Sequence, residues 1–264
     1  MKITALVENQ SSGELSAKHG LSLYIETPRH KMLFDLGPDK TLFDNAQKRN
    51  IDLSTIDTVI ISHGHVDHGG ALERFLEVNH SAKIYVQRKA FEGHFSQFLF
   101  WKVNIGLTAA LQNHPQVVLL DGDYTIDEEL ALFTVENTAK CRSTVNDSLY
   151  NEAGRDDFAH EQSLILTEGS AKALIMGCGH TGVVNILEKA AAYNPQICVG
   201  GYHLCSPVIK KTVPEQLLGS IAGELAKYDL RYYTCHCTGQ KAYKYLAERL
   251  PNMHYLSCGE TIEL

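Results

Sequence analysis

Apolar residues occur along the chain in short runs that match either the strand period or the helix period. Runs with alternating or continuous apolar positions, bounded by turn residues, predict strands, and stretches of helical period predict helices. The predicted strands are Ile3–Val7, Leu21–Glu26, Lys31–Asp35, Thr58–Ile61, Lys83–Val86, Val117–Leu120, Ala131–Val135, Leu164–Thr167, Ala173–Met176, Ile197–Gly200, Arg231–Thr234 and Met253–Ser257. The predicted helices are Thr41–Arg49, Leu72–Val78, Val183–Tyr193, Glu215–Lys227 and Lys241–Leu250.

This order predicts an α/β fold. Both halves run from hairpin-like strands into strand–helix units, which favours two sheets packed face to face with helices outside, a four-layer αββα sandwich. A doubly wound α/β fold is the alternative. Because no Pro/Gly/Ser-rich linker interrupts residues 1–264, the sequence predicts a single domain.

Residues 88–158 fit the regular pattern least well and are predicted to be a helical and loop insertion. Aromatic residues at helical spacing, Phe91, Phe95, Phe98 and Trp101, predict a helix there. A polar loop follows. The segment is expected either to cover a substrate or to cover a sheet edge.

Charge and composition narrow the range of functions. The 24 Lys+Arg and 31 Asp+Glu residues give a net charge of −7 without a basic stripe, which argues against a nucleic-acid partner. The N-terminal MKITALVENQ turns polar too early for a signal peptide, and no apolar run approaches the ~20 residues needed to cross a bilayer. The seven cysteines suit reduced thiols. These features predict a cytoplasmic protein without a membrane partner that acts on a small molecule.

Residues 61–70, ISHGHVDHGG, are the strongest chemical signal. His63 and His65 are two positions apart after a strand and therefore point the same way, so that both can hold one metal ion. Asp67 and His68 follow the bend and can face a second ion or a reacting water. A set of solvent-exposed surface histidines is the alternative interpretation.

His-x-His-x-Asp-His after a strand resembles the signature of the metallo-β-lactamase-fold metallohydrolases, and MLFDLG at 32–37 resembles that superfamily's earlier strand. Four further stretches, KHGLSLYIE, GCGHTGVVN, GGYHL and HCTG, resemble its dihydropterin-ribofuranosylaminobenzene-phosphate-synthase-like branch. The resemblance covers nearly the whole chain outside residues 88–158 and implies the αββα fold.

A tight turn centred on Gly169–Ser170 would place His160 opposite Gly179 and beside Cys178 at one hairpin end. In the superfamily these places hold a histidine and a bridging aspartate, so the resemblance implies that His160 and Cys178 are ligands. The thiol departs from the usual aspartate and favours zinc. A small buried thiol is the alternative role for Cys178.

The resemblance also makes His236, after the strand RYYT, the final ligand, with His203 as the competing residue. His180 is expected to contact substrate or to ligate instead, and His19 is a further substrate-loop candidate. Asp35 is expected to accept the far N–H of a ligand histidine. Cys235 and Cys237 are expected to be ordinary buried thiols.

Residues 177–182, GCGHTG, also match the G-x-G-x-x-G pattern of dinucleotide-binding proteins. The next strand lacks the acidic residue that would bind ribose, so an oxidoreductase is disfavoured. Glycine-rich backbone at a helix N-terminus can still bind an anion, which is why a phosphate on the substrate is expected.

The resulting prediction is a binuclear metallohydrolase in which an activated water attacks a small, phosphate-bearing ester-type substrate. Metal 1 would be held by His63, His65 and His160, and metal 2 by Asp67, His68 and His236, with Cys178 bridging or bound to one of them; Asp67 would also orient the water. The expected cofactor is zinc, one or two ions, with iron or manganese as alternatives. A pterin/aminobenzoate-ribosyl phosphate synthase and a metal-dependent ligand sensor are the competing functions.

Overall fold

The computed structural model describes residues 1–98 and 100–264. Its contacts divide the chain into two compact units, one formed by residues 1–122 and 256–264 and the other by residues 123–255. Each unit contains one seven-stranded mixed sheet. Two large sheets are present among the described residues, as predicted, instead of the one large sheet of a doubly wound fold. The predicted single domain over residues 1–264 stays a prediction.

The first unit contains the strands β1 Lys2–Val7, β2 Ser22–Glu26, β3 Lys31–Phe34, β4 Thr58–Ile60, β5 Lys83–Gln87, β6 Phe95–Phe98, β7 Trp101–Asn104, β8 Val117–Leu120 and β17 Thr261–Glu263, and the helices α1 Thr41–Lys48, α2 Val66–Gly69 and α3 Leu72–Val78. Its large sheet has the order β17-β1-β2-β3-β4-β5-β8. The strands from β17 to β3 pair antiparallel and those from β3 to β8 pair parallel. Leu42 of α1 and Phe75 of α3 pack with Leu33, Val59 and Ile84 of the sheet in one apolar core.

The second unit contains the strands β9 Tyr124–Thr125, β10 Leu130–Phe133, β11 Leu149–Tyr150, β12 Ser163–Glu168, β13 Ala171–Ile175, β14 Ile197–Gly200, β15 Arg231–Thr234 and β16 Met253–Tyr255, and the helices α4 Val183–Ala190, α5 Glu215–Leu225 and α6 Gln240–Ala247. Its large sheet has the order β9-β10-β12-β13-β14-β15-β16. It repeats the pairing pattern of the first sheet, antiparallel from β9 to β13 and parallel from β13 to β16. Leu187, Ile221 and Leu246, one from each helix, share an apolar core with Leu174 and Tyr232.

The hairpin between β12 and β13 has the predicted register. Leu164 pairs with Ile175 and Glu168 pairs with Ala171, so the turn is centred on Gly169 and Ser170. The Gly169 backbone has φ +59, a left-handed conformation that glycine adopts without steric cost. The position of this turn therefore fixes the register of β12 against β13.

The prediction of a helix through the aromatic residues after Phe91 is wrong. A short 3-10 turn at Arg88–Phe91 leads into β6 and β7, which pair antiparallel with Phe95 opposite Asn104. Aromatic residues favour strands as much as helices, and the spacing alone did not separate the two. The prediction that residues 88–158 are an insertion stays a prediction. Among the described residues no helix has both the length and the apolarity required to cross a bilayer.

Candidate functional site

The histidine motif of the first unit follows β4, which lies between β3 and β5 and runs parallel to both. His65 is extended, with φ −97 and ψ 143, and α2 begins at the next residue. His63 shares a ring contact of 4.6 Å with His65 and one of 4.1 Å with His68, measured between ring centroids. The three rings are buried, and His63 has a ring nitrogen within 4.8 Å of one on each of the other two. The first unit therefore gathers the motif's histidines into one cluster, as the sequence predicts.

Asp35 is the centre of a buried hydrogen-bond network beneath these histidines. It follows β3, and its own N–H donates to Ile60 O at 2.8 Å. Its carboxylate accepts hydrogen bonds from the Ser62 N–H and the Ser62 hydroxyl, both at 2.7 Å, and lies 2.6 Å from His68 Nδ1. Ser62 Oγ also lies 2.8 Å from His63 Nδ1. The carboxylate thus orients two histidines whose Nε2 atoms lie on the opposite side of each ring.

The motif is also held by close packing on its other side. The N–H of Val66 donates to Ile105 O at 2.7 Å, and His65 forms a β-bridge with Gly106. A Cβ added at Gly64 would lie 2.5 Å from Ala90 O, so only glycine fits there. The sequence does not identify these three partners, Ile105, Gly106 and Ala90, because all of them lie far along the chain from the motif.

Asp67 differs from the histidines because it is only partly buried. Its Oδ2 lies 3.3 Å from Nε2 of His19, whose side chain is about half exposed. The structure therefore places His19, the substrate-loop candidate, beside the motif's carboxylate. This arrangement leaves Asp67 near solvent, where a carboxylate can accept a proton.

In the second unit, three candidate residues follow three neighbouring parallel strands. Cys178 comes after β13, His203 after β14 and His236 after β15. The carboxyl ends of parallel strands meet at one edge of a sheet, where α/β proteins place their functional groups. Ligand atoms of Cys178, His180 and His203 lie within 4.8 Å of one another, and so do those of Cys178, His236 and Cys237. All five side chains are buried.

Two of these histidines have strained backbones. His203 has φ +48 and His236 has φ +51, values that L-residues other than glycine rarely adopt. The surrounding hydrogen bonds hold them there, since Tyr202 N–H donates to Thr238 Oγ1 at 2.9 Å and Leu204 N–H donates to Cys237 O at 3.0 Å. Strain of this kind concentrates at functional sites.

Cys237 was expected to be an ordinary buried thiol, and the structure gives it unusual surroundings. Burial alone would raise its pKa, but the nearby Cys178 and His203, together with the charges of His236 and His203, hold the pKa of this thiol well below its usual value. In the sequence, the only indication of these surroundings is that Cys237 lies between His236 and the start of the next helix.

The glycine-rich loop before α4 binds an anion from the protein itself. The N–H groups of His180 and Thr181 donate to the two carboxylate oxygens of Glu161, each at 2.7 Å, and the Thr181 hydroxyl adds a third bond of 2.7 Å. Burial raises the pKa of Glu161 above its usual value, although these hydrogen bonds oppose the rise. Because Glu161 already accepts from two N–H groups of this loop, the loop is a weaker candidate for binding a phosphate than the sequence predicts.

His160 and His180 are each fixed by a neighbour within the unit. His160 Nε2 lies 3.2 Å from Asp156 Oδ2, and its juxtaposition with Cys178 stays a prediction. His180 Nδ1 lies 3.1 Å from Asn146 Oδ1, and its ring stacks on Phe158 at 4.6 Å between centroids. Asp156 and Asn146 were missed in the sequence because both lie in the irregular polar segment before β12.

These donor sets fit a divalent transition metal. Imidazole and thiolate are the ligands that zinc prefers, and buried histidines are normally hydrogen-bonded at their ring nitrogens. Within the described part of the chain neither ring nitrogen of the buried His203 has a hydrogen-bond partner. A metal ion would satisfy such a group. The candidate holders are His63, His65, Asp67 and His68 in the first unit, and Cys178, His180, His203, His236 and Cys237 in the second.

Comparison with known proteins shows the family of this chain. Residues 16–189 match the family model of the metallo-beta-lactamase superfamily. The chain is 26% identical to a 7,8-dihydropterin-6-methyl-4-(beta-D-ribofuranosyl)-aminobenzene-5'-phosphate synthase of Methanocaldococcus jannaschii, over 92% of this chain and 89% of that protein. It is 25% identical to an uncharacterized protein of the same organism, over 98% of this chain and 99% of that one.

Solved structures show the same fold. Tm1679, described as a metal-dependent hydrolase of the beta-lactamase superfamily, superposes with a TM-score of 0.82 at 24% identity, covering 100% of this chain and 99% of that one. Zn(2+)-bound PqqB from Methylobacterium extorquens gives a TM-score of 0.60 at 11% identity, with 100% of both chains covered. The predicted fold class and the resemblance to the synthase-like branch are confirmed. The chain belongs to the metallo-β-lactamase superfamily.

Proposed function

We propose that this protein is a metal-dependent hydrolase that acts on a small, phosphate-bearing ester-type substrate. The observation that carries the proposal is the buried network in which Asp35 and Ser62 orient His63 and His68. Carboxylate partners of this kind fix the tautomer of ligand histidines in metalloenzymes. Membership of a superfamily of mostly metal-dependent hydrolases supports the same conclusion.

The proposed cofactor is zinc, in a binuclear arrangement. The proposed ligands are His63, His65, Asp67 and His68 from the first unit and His160, Cys178 and His236 from the second. A bound divalent cation would polarise a carbonyl or phosphoryl oxygen and lower the pKa of a water molecule. We also propose a cytoplasmic location, because the seven cysteines are an odd number scattered along the chain and suit reduced thiols.

The chain's own residues would then orient the histidines and move a proton. Asp35 accepts the Nδ1–H of His68, so this ring presents Nε2 as its donor atom. Asp67, partly exposed and 3.3 Å from His19, is the proposed group that orients the attacking water and accepts its proton. His19 would hold that carboxylate in place.

Support for a phosphate on the substrate comes from relatives. The synthase relative is named for a 5'-phosphate compound. A structure described as a new diphosphatase from the PhnP family superposes with a TM-score of 0.57 at 14% identity. The glycine-rich loop adds no support, since Glu161 accepts hydrogen bonds from its N–H groups.

The second candidate function is that of the named relative, a synthase that forms a ribosyl aminobenzene phosphate. The observation that favours it is the similarity over 92% of this chain. A metal-dependent sensor that binds a metabolite without hydrolysis is a third reading. Both of these functions would still require the metal, but neither would be a hydrolysis.

Metal analysis of protein expressed with added zinc is the first test. We expect roughly one to two metal equivalents per chain. His65→Ala and Asp67→Ala should lower the metal content or abolish turnover, while His80→Ala, an exposed histidine, should leave both unchanged. Metal-free wild-type protein would contradict the proposal.

A substrate screen then separates the candidate functions. Phosphodiesters, phosphomonoesters, lactones and thioesters should be tested with the zinc-loaded protein. Hydrolysis of a phosphate ester that is lost in Asp67→Ala is the expected result. Tight metabolite binding without hydrolysis would favour the sensor, and product formation from an aminobenzoate and a phosphoribosyl donor would favour the synthase.

A further inference from the structure

The second unit contains more sulfur and nitrogen atoms that could bind a metal ion than the proposed function uses. Cys237 Sγ, Cys178 Sγ and a ring nitrogen of His236 lie within 4.8 Å of one another. All three side chains are buried, with at most 4% of their surface exposed.

His203 extends this cluster. This residue is 6% exposed, and neither ring nitrogen has a hydrogen-bond partner among residues 1–98 and 100–264. One of these nitrogens lies within 4.8 Å of Cys178 Sγ. The backbone N–H of the same residue donates to Cys237 Sγ at 3.2 Å. His203 therefore reaches both thiols, one through its ring and the other through its backbone.

The backbone around Cys237 is shaped to hold its sulfur in place. A Cβ added at Gly201 would lie 2.5 Å from Cys237 Sγ, so a side chain at position 201 would displace the sulfur. The carbonyl of Cys237 accepts hydrogen bonds from Leu204 N–H at 3.0 Å and from Cys205 N–H at 3.1 Å. These two hydrogen bonds connect the loop after β14 to the turn after β15 at Cys237.

We propose that Cys237 and His203 are metal ligands together with Cys178 and His236. Two cysteines and two histidines are a common donor set for zinc. Two thiolates select a soft ion such as zinc over manganese or magnesium. This inference rests on the proposed metal-dependent function and deepens it, because it makes the second unit a thiolate-rich zinc site instead of one in which a single cysteine replaces the aspartate.

X-ray absorption at the zinc edge of the wild-type protein tests the inference without any substitution. We expect sulfur neighbours at about 2.3 Å and nitrogen neighbours at about 2.0 Å, with close to two sulfurs per chain after correction for the measured zinc content. Zinc bound through nitrogen and oxygen alone, or through one sulfur per chain, would overturn this inference and leave the proposed function standing. Protein that binds no zinc would overturn both.

Cobalt substitution then assigns the ligands. Cys237→Ser should lose about half of the thiolate-to-cobalt charge-transfer absorption, because one of two thiolates is removed. The control Cys141→Ser changes a half-buried thiol of the same unit and should keep the full intensity. His203→Gln should shift the visible cobalt bands and weaken cobalt binding. Unchanged spectra for Cys237→Ser and His203→Gln would overturn the assignment.

Discussion

Asp35 Oδ2 lies 2.6 Å from His68 Nδ1, and both side chains are completely buried. Replacing Asp35 with asparagine keeps the size of the side chain and tolerates the backbone at φ +62, which asparagine adopts more readily than most residues. The substitution removes the negative charge that orients the ring. We expect Asp35→Asn to weaken zinc binding about 10–100-fold, measured by competition with a chromogenic chelator.

The matched control is a second aspartate–histidine pair of the same unit. Asp57 Oδ1 lies 3.0 Å from His30 Nδ1, outside the histidine motif. Asp57→Asn should leave zinc affinity unchanged. An equal loss in both variants would show that the effect is a general loss of stability and not a loss of ligand orientation.

Gly64→Ala is expected to damage the motif through its backbone. The added Cβ would lie 2.5 Å from Ala90 O and 2.7 Å from the His94 ring, so the turn between His63 and His65 must shift. We expect a loss of about 1–3 kcal/mol in the free energy of unfolding, measured in urea, together with reduced zinc content. Gly13→Ala, where a new Cβ meets nothing within 4 Å, should change neither quantity. Full stability and zinc content in Gly64→Ala would contradict the packing described above.

Glu161→Gln should destabilise the second unit. The amide supplies one acceptor oxygen where the carboxylate accepts from His180 N–H, Thr181 N–H and Thr181 Oγ1–H. One N–H is left facing an NH2 group in a buried position, which costs about 1–3 kcal/mol. The urea midpoint of this variant should fall, while the free energy of unfolding of Glu215→Gln, an exposed residue, should stay within about 0.5 kcal/mol of the wild-type value. Comparable midpoints for the two variants would show that Glu161 does not anchor the loop.

Asp39 predicts a pH-dependent contribution to stability. Partial burial raises its pKa, but hydrogen bonds with Lys18 and Thr41 outweigh burial and lower the pKa from 3.8 to about 2. A carboxylate whose pKa is lower in the folded protein stabilises it above the unfolded pKa, and that stabilisation is lost as the pH falls from about 4 towards 2. Because the side chain is 39% exposed, the effect should be about 1 kcal/mol or less.

The measurement compares Asp39→Asn with the wild type in urea near neutral pH and at about pH 3. The difference in free energy of unfolding should shrink as the solution becomes more acid. Asp44→Asn, which removes an exposed partner of Lys40 at 3.4 Å, is the control and should show a small difference. A difference for Asp39→Asn that grows towards low pH would contradict the assignment.

The parts of the site that depend on local sequence could be predicted. His63, His65 and His68 lie within six residues after a buried strand, and their clustering follows from strand and turn geometry alone. The β12–β13 register also followed from its turn, as the pairing of Leu164 with Ile175 shows. Local geometry was therefore sufficient to predict the histidine cluster and the strand register.

The remaining features depend on contacts between distant residues. Glu161 reaches the N–H groups of His180 and Thr181, about twenty residues later, and Cys237 lies 59 residues beyond the Cys178 carbonyl that it contacts. Periodicity and short motifs contain no information about such pairs. The β6–β7 hairpin was missed for a different reason, since its aromatic spacing also fits one face of a helix.

Strand β17 pairs with β1, with Ile3 opposite Ile262, so the first sheet is completed by residues from the end of the chain. The second sheet is built entirely from residues between 123 and 255. During synthesis every strand of the second sheet leaves the ribosome before β17 does. One edge of β1 stays open until then, and an open edge can pair with other chains. Chain order thus gives the first unit the longer period of exposure to aggregation on the ribosome.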